Sequence, residues 1–239
     1  MKTSRLLMAV VVSVLVATVS HAADSASISG KITFDGKAPK PKKIPTDADP
    51  KCAAMHEDSP LLTEDVLVNA DGTLKNVFVY VKSGLEGKTY DTPKDPVVLT
   101  QEKCHYVPHV FGMMAKQPLQ IVNADDTLHN IHAMPTKSKE FNVGQPNKDM
   151  KTLRTFAEPE VMVHFKCDVH PWMSAYVGVM SNPFYSVSGD DGAFSLKGLP
   201  AGEYEVAAWH EKYGEQVQKI KVGDGEAKTI DFKFSKPAE

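Results

Sequence analysis

Cysteine is scarce in this chain. Three in 239 residues are too few for a disulfide-dense scaffold or for a zinc site built from four thiolates. A basic excess is missing too, and a formal net charge of −3 argues against a nucleic-acid binder held by a basic surface. Beyond the first 22 residues no stretch is apolar enough to cross a bilayer as a helix. No window keeps a 3.6-residue apolar period over three turns. Catalytic signatures are absent: there is no G-x-S-x-G elbow, no H-E-x-x-H and no glycine-rich phosphate loop. What is present is ordinary for a folded protein. At 42% hydrophobic and 24% charged the chain is not disordered, and its length suits one or two domains.

Lys2 and Arg5 precede an apolar run over residues 6–19, and Ser20-His21-Ala22 supplies small residues at a cleavage site. This predicts a secretory signal peptide over residues 1–22, cut after Ala22. An uncleaved membrane anchor is the alternative, but a largely apolar run of 14 residues falls short of the roughly 20 that a spanning helix needs. Cleavage removes two basic residues and takes the net charge to −5. The mature chain is then expected in the periplasm or outside the cell, where thiols tend to pair. Three cannot all pair. One must stay free, bind a metal or bridge to another chain.

Alternation of apolar and polar residues with β-branched enrichment predicts strands over residues 28–34, 77–81, 119–122, 161–165, 176–180, 193–196, 204–209, 218–222 and 230–234. Turn pairs separate them, among them Asp35-Gly36, Asp71-Gly72 and Asp191-Gly192. The expected fold class is all-β, built as antiparallel sandwiches. Residues 37–45 (KAPKPKKIP) read as a solvated connector, with a polybasic site as the sharper alternative. The final third, residues 185–222, runs strand, Asp-Gly turn, short strand, Leu-Pro-x-Gly turn and long strand. It resembles the carboxypeptidase regulatory-like, or transthyretin-like, β-sandwich domains. That resemblance implies two earlier strands, for which residues 30–34 and 77–81 are candidates. The gap between them and the Asp-Gly turn is large enough for a second domain. The expected division is residues 23–97 and 183–239 as the two parts of an accessory sandwich, with residues 98–182 inserted as a second one. Two domains in simple tandem are the alternative.

The strongest chemical signal is Cys167-Asp168-Val169-His170-Pro171-Trp172-Met173. A thiolate, an imidazole and a thioether within seven residues, joined by one further imidazole, make the ligand set of a trigonal copper site with a long axial Met. The further imidazole is offered by Leu128-His129-Asn130-Ile131-His132. Together these segments resemble the cupredoxins, amicyanin most closely, whose ligand loop is C-x-x-H-P-[aromatic]-M and whose upstream ligand opens an H-N-[aliphatic]-H segment. The resemblance implies a cupredoxin Greek-key sandwich holding one type 1 copper ion on His129, Cys167, His170 and Met173, with His132 a neighbour. It also implies single-electron transfer rather than catalysis. By analogy the partners are a periplasmic dehydrogenase and a c-type cytochrome. His170, with Pro171 and Trp172, is expected near the surface, and Asn130 is expected to tie the His129 segment to the Cys167 loop. With Cys167 given to copper, Cys52 and Cys104 are free to form a disulfide. The alternative function is copper binding and delivery without electron transfer.

The pattern departs from amicyanin in places. About 130 residues lie outside the resemblance, Met173 is followed by Ser-Ala-Tyr, and His132 and His164 are extra imidazoles. A weaker cluster, Cys104, His105 and His109 with Met113 and Met114, suits Cu(I) in principle but reads better as packing. Trp209-His210-Glu211 reads as a structural pair on the accessory sandwich.

Overall fold

The computed structural model describes residues 25–236, so the expected signal segment lies outside them. The chain opens with β1 (Ala26–Asp35), the short helix α1 (Pro50–Met55) and β2 (Phe78–Ser83). Nine strands follow: β3 (Val97–Glu102), β4 (His105–Val107), β5 (Val110–Met114), β6 (Leu119–Asn123), β7 (His129–Met134), β8 (Phe141–Gln145), β9 (Lys151–Arg154), β10 (Glu160–Lys166) and β11 (Ser174–Met180). Six complete the chain: β12 (Tyr185–Val187), β13 (Ala193–Leu199), β14 (Gly202–His210), β15 (Gly214–Val222), β16 (Ala227–Thr229) and β17 (Phe232–Ser235). The protein is all-β.

The strands sort into four sheets. One runs β13-β1-β16 with β17 also on β1, and a second runs β12-β2-β14-β15. Both use only the first two and last six strands, and residues of both, including Ile28, Ile32, Val79, Phe194, Val206 and Phe232, share one buried core. The other two sheets, β4-β3-β6-β9 and β5-β11-β10-β7-β8, are built from the nine middle strands. Leu99, Ile121, Ile131, Phe156, Phe165 and Val177 fill the space between them. The chain therefore leaves one sandwich after β2 and returns to it at β12.

Alternation explains the half-exposed strands. Along β15 (GEQVQKIKV) half-buried and exposed positions take turns, as expected of a strand with one face to water. β5 (VFGMM) was not anticipated, because it has no alternation: four of its five residues are buried. It runs parallel to β11 and is covered on both faces, one of them by the other sandwich. The strand expected over residues 230–234 is found as β17, starting two residues later, and the short β16 precedes it; both run parallel to β1.

A third cluster, Phe78, Tyr80, Val110, Met180 and Ala207, joins the two sandwiches. Two glycines make that approach possible. A Cβ at Gly178 would lie 2.2 Å from the Phe78 ring, and one at Gly112 would lie 2.4 Å from the Tyr185 ring. His109 from the middle sandwich pairs with Glu211 from the outer one. Burial disfavours the His109 imidazolium, but Glu211 outweighs it and raises the pKa.

His210, at the end of β14, is 2% exposed and stacks on Tyr213 with ring centroids 4.7 Å apart. Its Nδ1 accepts the Lys212 N–H at 3.1 Å. Burial lowers its pKa from 6.5 to about 4, so below pH 6.5 the unfolded chain takes up a proton that the folded one refuses. Stability then falls with pH, by up to about 3 kcal/mol over that interval at about 1.4 kcal/mol per unit. Replacing His210 with Phe is expected to remove most of that slope in urea unfolding across this pH range. An unchanged slope would exclude His210 as its source.

Candidate metal centre

The Cys167 loop is a hairpin connection. Strands β10 and β11 are antiparallel with Lys166 opposite Ser174, so residues 167–173 must turn between them. They do so by bonding to one another. Met173 N donates to His170 O at 2.9 Å, Cys167 N to Met173 O at 3.3 Å and His170 N to Cys167 Sγ at 3.3 Å. The Asn130 side chain reaches across from β7, its Oδ1 accepting the N–H groups of Asp168 (2.7 Å) and Val169 (3.3 Å). The Cys167 thiol donates to the same oxygen at 3.1 Å. On the other side of β7, Tyr106 OH donates to Asn130 O. One residue beside His129 thus fixes the loop that carries Cys167 and His170.

His129, Cys167 and His170 come together as a result, each at most 2% exposed. Their ligand atoms all lie within 4.8 Å of one another. The two Nδ1 atoms are 2.9 Å apart, and Cys167 Sγ is 3.8 Å from His170 Nδ1. Met173 is buried in the apolar cluster that also holds Cys167. Among the other imidazoles, His132 pairs with Asp168 and Glu140, and His164 stacks on Tyr176. The cluster Cys104, His105, His109, Met113 and Met114 disperses. Cys104 is in a disulfide, His109 faces Glu211, and both methionines are buried core.

The distal nitrogen of each ring in the cluster is held by a carboxylate. His129 Nε2 lies 2.8 Å from Asp125 Oδ2, and His170 Nε2 lies 3.0 Å from Asp49 Oδ2. Neither aspartate was read from the sequence as part of the site. Asp125 precedes His129 by four residues, a spacing that in a loop has no special meaning. Asp49 is 121 residues from His170, and its only local signal is a helix start, Asp-Pro. Each carboxylate turns the free Nδ1 of its ring toward the thiol, the way a metal-ligating imidazole is usually oriented.

The electrostatics agree with that orientation. Burial resists ionisation of Cys167, but hydrogen bonds involving the His129 and His170 rings outweigh it and bring the thiol down to about 6. Burial likewise opposes charge on both imidazoles, while Asp125, Asp49 and Cys167 raise their pKa values. For Asp49, burial is outweighed by His170 and the N–H groups of Cys52 and Lys51, which hold it at about 2. A ready thiolate beside two oriented imidazoles is a donor set for a soft or borderline cation, and copper fits it.

His170 lies between the exposed residues Val169 and Pro171, near the surface as expected, but it is not open to solvent: it is 1% exposed, because α1 lies over it. Cys52 Sγ is 3.7 Å from His170 Nε2, and Cys52 is joined to Cys104 with Cα atoms 5.8 Å apart. Trp172 is half-buried, its Nε1–H donating to Cys104 O at 2.9 Å.

No protein-family model matches the chain, and no curated protein matches it. Among solved structures, the copper-containing nitrite reductase of Thermus scotoductus SA-01 is similar over 42% of this chain and 26% of its own length, at 15% identity and a TM-score of 0.35. The purple cupredoxin of Nitrosopumilus maritimus is similar over 35% of this chain and 99% of its own, at 20% identity and a TM-score of 0.31. A Cu(I) amicyanin variant is similar over 43% of this chain and 98% of its own, at 18% identity and a TM-score of 0.32. Likenesses of this size are partial and do not assign a function.

Two outcomes follow from the loop geometry. Asn130→Ala strips the Asp168 and Val169 N–H groups of their acceptor and is expected to cost about 2–3 kcal/mol in urea unfolding of the metal-free chain; a loss within error of zero would mean the loop holds itself. The disulfide closes a separation of 52 residues and is worth about 4 kcal/mol in the loop-entropy model. A non-reduced digest should find Cys52 and Cys104 joined and only Cys167 open to alkylation after unfolding.

Proposed function

We propose that this chain is an exported copper protein of the cupredoxin type that carries single electrons. The observation that carries the reading is the convergence of the Cys167 thiol with the Nδ1 atoms of His129 and His170 in a buried pocket. Those three residues would hold the ion, with the Met173 thioether as the weak fourth donor. A copper ion so bound supplies one reversible electron between Cu(II) and Cu(I). The chain's own residues do the rest. Asn130 keeps the ligand loop closed, Asp125 and Asp49 aim the rings, and the apolar cluster around Cys167 excludes water. The match of residues 167–173 and 129–132 to the amicyanin pattern supports the same reading.

In this proposal residues 98–182 form the copper domain and the outer sandwich positions it against a redox partner. A periplasmic dehydrogenase and a c-type cytochrome are the partner classes that the resemblance suggests. The signal-like first 22 residues support export to the periplasm or out of the cell, and among the described residues no helix is long and apolar enough to cross a membrane. A second reading, copper binding and delivery without electron transfer, draws on one observation: the cover over His170 leaves no edge of that ring open to a docked redox partner.

Copper loading of the mature chain is expected to give one ion per molecule and the intense visible absorption of a Cu(II)–thiolate bond. Cys167→Ser should abolish that absorption. A colourless wild-type protein that yields its copper readily to a chelator would overturn electron transfer in favour of delivery.

A further inference from the structure

A histidine on a hairpin loop between two exposed neighbours should itself be exposed. Val169 is 45% exposed and Pro171 lies open to solvent, yet His170 is buried. The cover comes from another part of the chain, residues 49–52. The segment from Asp49 to His56 that carries them is fixed to the middle sandwich at several points. Cys52 is bonded to Cys104, Lys51 Nζ pairs with Asp126 and the His56 ring meets Lys103 O at 2.7 Å.

Asp49 divides its two oxygens between two tasks. Oδ1 caps α1, accepting the N–H groups of Lys51 (2.7 Å) and Cys52 (3.2 Å). Oδ2 takes Thr127 Oγ1–H at 3.0 Å and faces His170 Nε2 at 3.0 Å. The first task belongs to the helix. The second does nothing for the helix: it ties Asp49 to Thr127 of the middle sandwich and faces the ring of His170.

We propose that Asp49 is a positioning residue for the copper ligand His170, and that α1, locked by the Cys52–Cys104 bond, is the lid that seals this ligand from solvent. The inference rests on the copper reading above. A carboxylate on the distal N–H fixes the ring and makes its Nδ1 a stronger donor, so it favours Cu(II) over Cu(I) and slows loss of the ion. Asp125 does the same for His129 from inside the middle sandwich. The centre is thereby built from two ligands with matched anionic support, one of them supplied from across the chain.

The two oxygens give a clean test. Asp49→Ser keeps a good helix cap but cannot reach His170, whereas Asp49→Glu keeps a carboxylate. In the full copper-loaded chain, the serine variant is expected to raise the reduction potential and to weaken Cu(II) retention against a chelator by about 10–100-fold. The metal-free chain is expected to lose some melting temperature along with the Thr127 and His170 contacts, so potential and retention are read on fully loaded, folded protein, and the glutamate variant should recover part of both shifts. A serine variant with wild-type potential and retention would overturn the proposal. Should the variant fold poorly, the wild type still decides: the His170 Nε2–H proton, followed by NMR in the Cu(I) form, should exchange slowly with solvent. Fast exchange would mean that no lid exists. A wild type without thiolate–copper absorption would instead sink the copper reading and this inference with it.

Discussion

An imidazole presents one nitrogen to an ion reliably only when its other nitrogen is tied down. Both rings of the candidate centre meet that condition with a carboxylate, one buried (Asp125) and one half-buried (Asp49), and each is held by donors of its own. Asp125 takes the N–H groups of Lys103 and Cys104. Asp49 takes those of Lys51 and Cys52. The donors include the two residues of the disulfide, so the covalent link joins the segment supporting one ligand to the segment supporting the other. Polar network and disulfide are parts of one support, and the loop carrying Cys167 and His170 closes against it.

The middle sandwich does not stand by itself. Its β5–β11 edge is pressed against β2 and β12 of the outer sandwich through Gly112 and Gly178, and the His109–Glu211 pair crosses the same junction. Strand β11 begins at Ser174, immediately after the ligand loop. Fixing that strand from the outside limits how far the end of the loop can shift. The outer sandwich therefore bears on the geometry of the centre without contributing any of its donors.

Most of the outer sandwich was legible. β1 and β15 alternate because each has one face in the core and one toward water, β14 alternates over its first half before Ala207 meets the middle sandwich, and Asp-Gly and Leu-Pro-x-Gly turns mark their ends. In the middle sandwich β10 is visible for the same reason, and β11 by its β-branched residues, although its second half is buried on both faces. β5 was not, since burial on both faces removes the alternation that reveals a strand. β8 and β9 are short and largely polar, with too few apolar positions to establish a period. α1 has six residues, less than two turns, which is beyond the reach of a 3.6-residue pattern.

The candidate centre divides along the same line. Cys167, His170, Met173 and the His129-Asn130 pair stand close in sequence within two short segments, so residue type and spacing alone identified a donor set and the need for a loop. Asp49, Asp125 and the lid over His170 were settled by the fold, because their contacts depend on where chain segments up to 121 residues apart come to rest. Spacing along a chain reports what a single turn can bring together. Which carboxylate lies behind a ring, and whether that ring faces water, are decided only when separate segments pack.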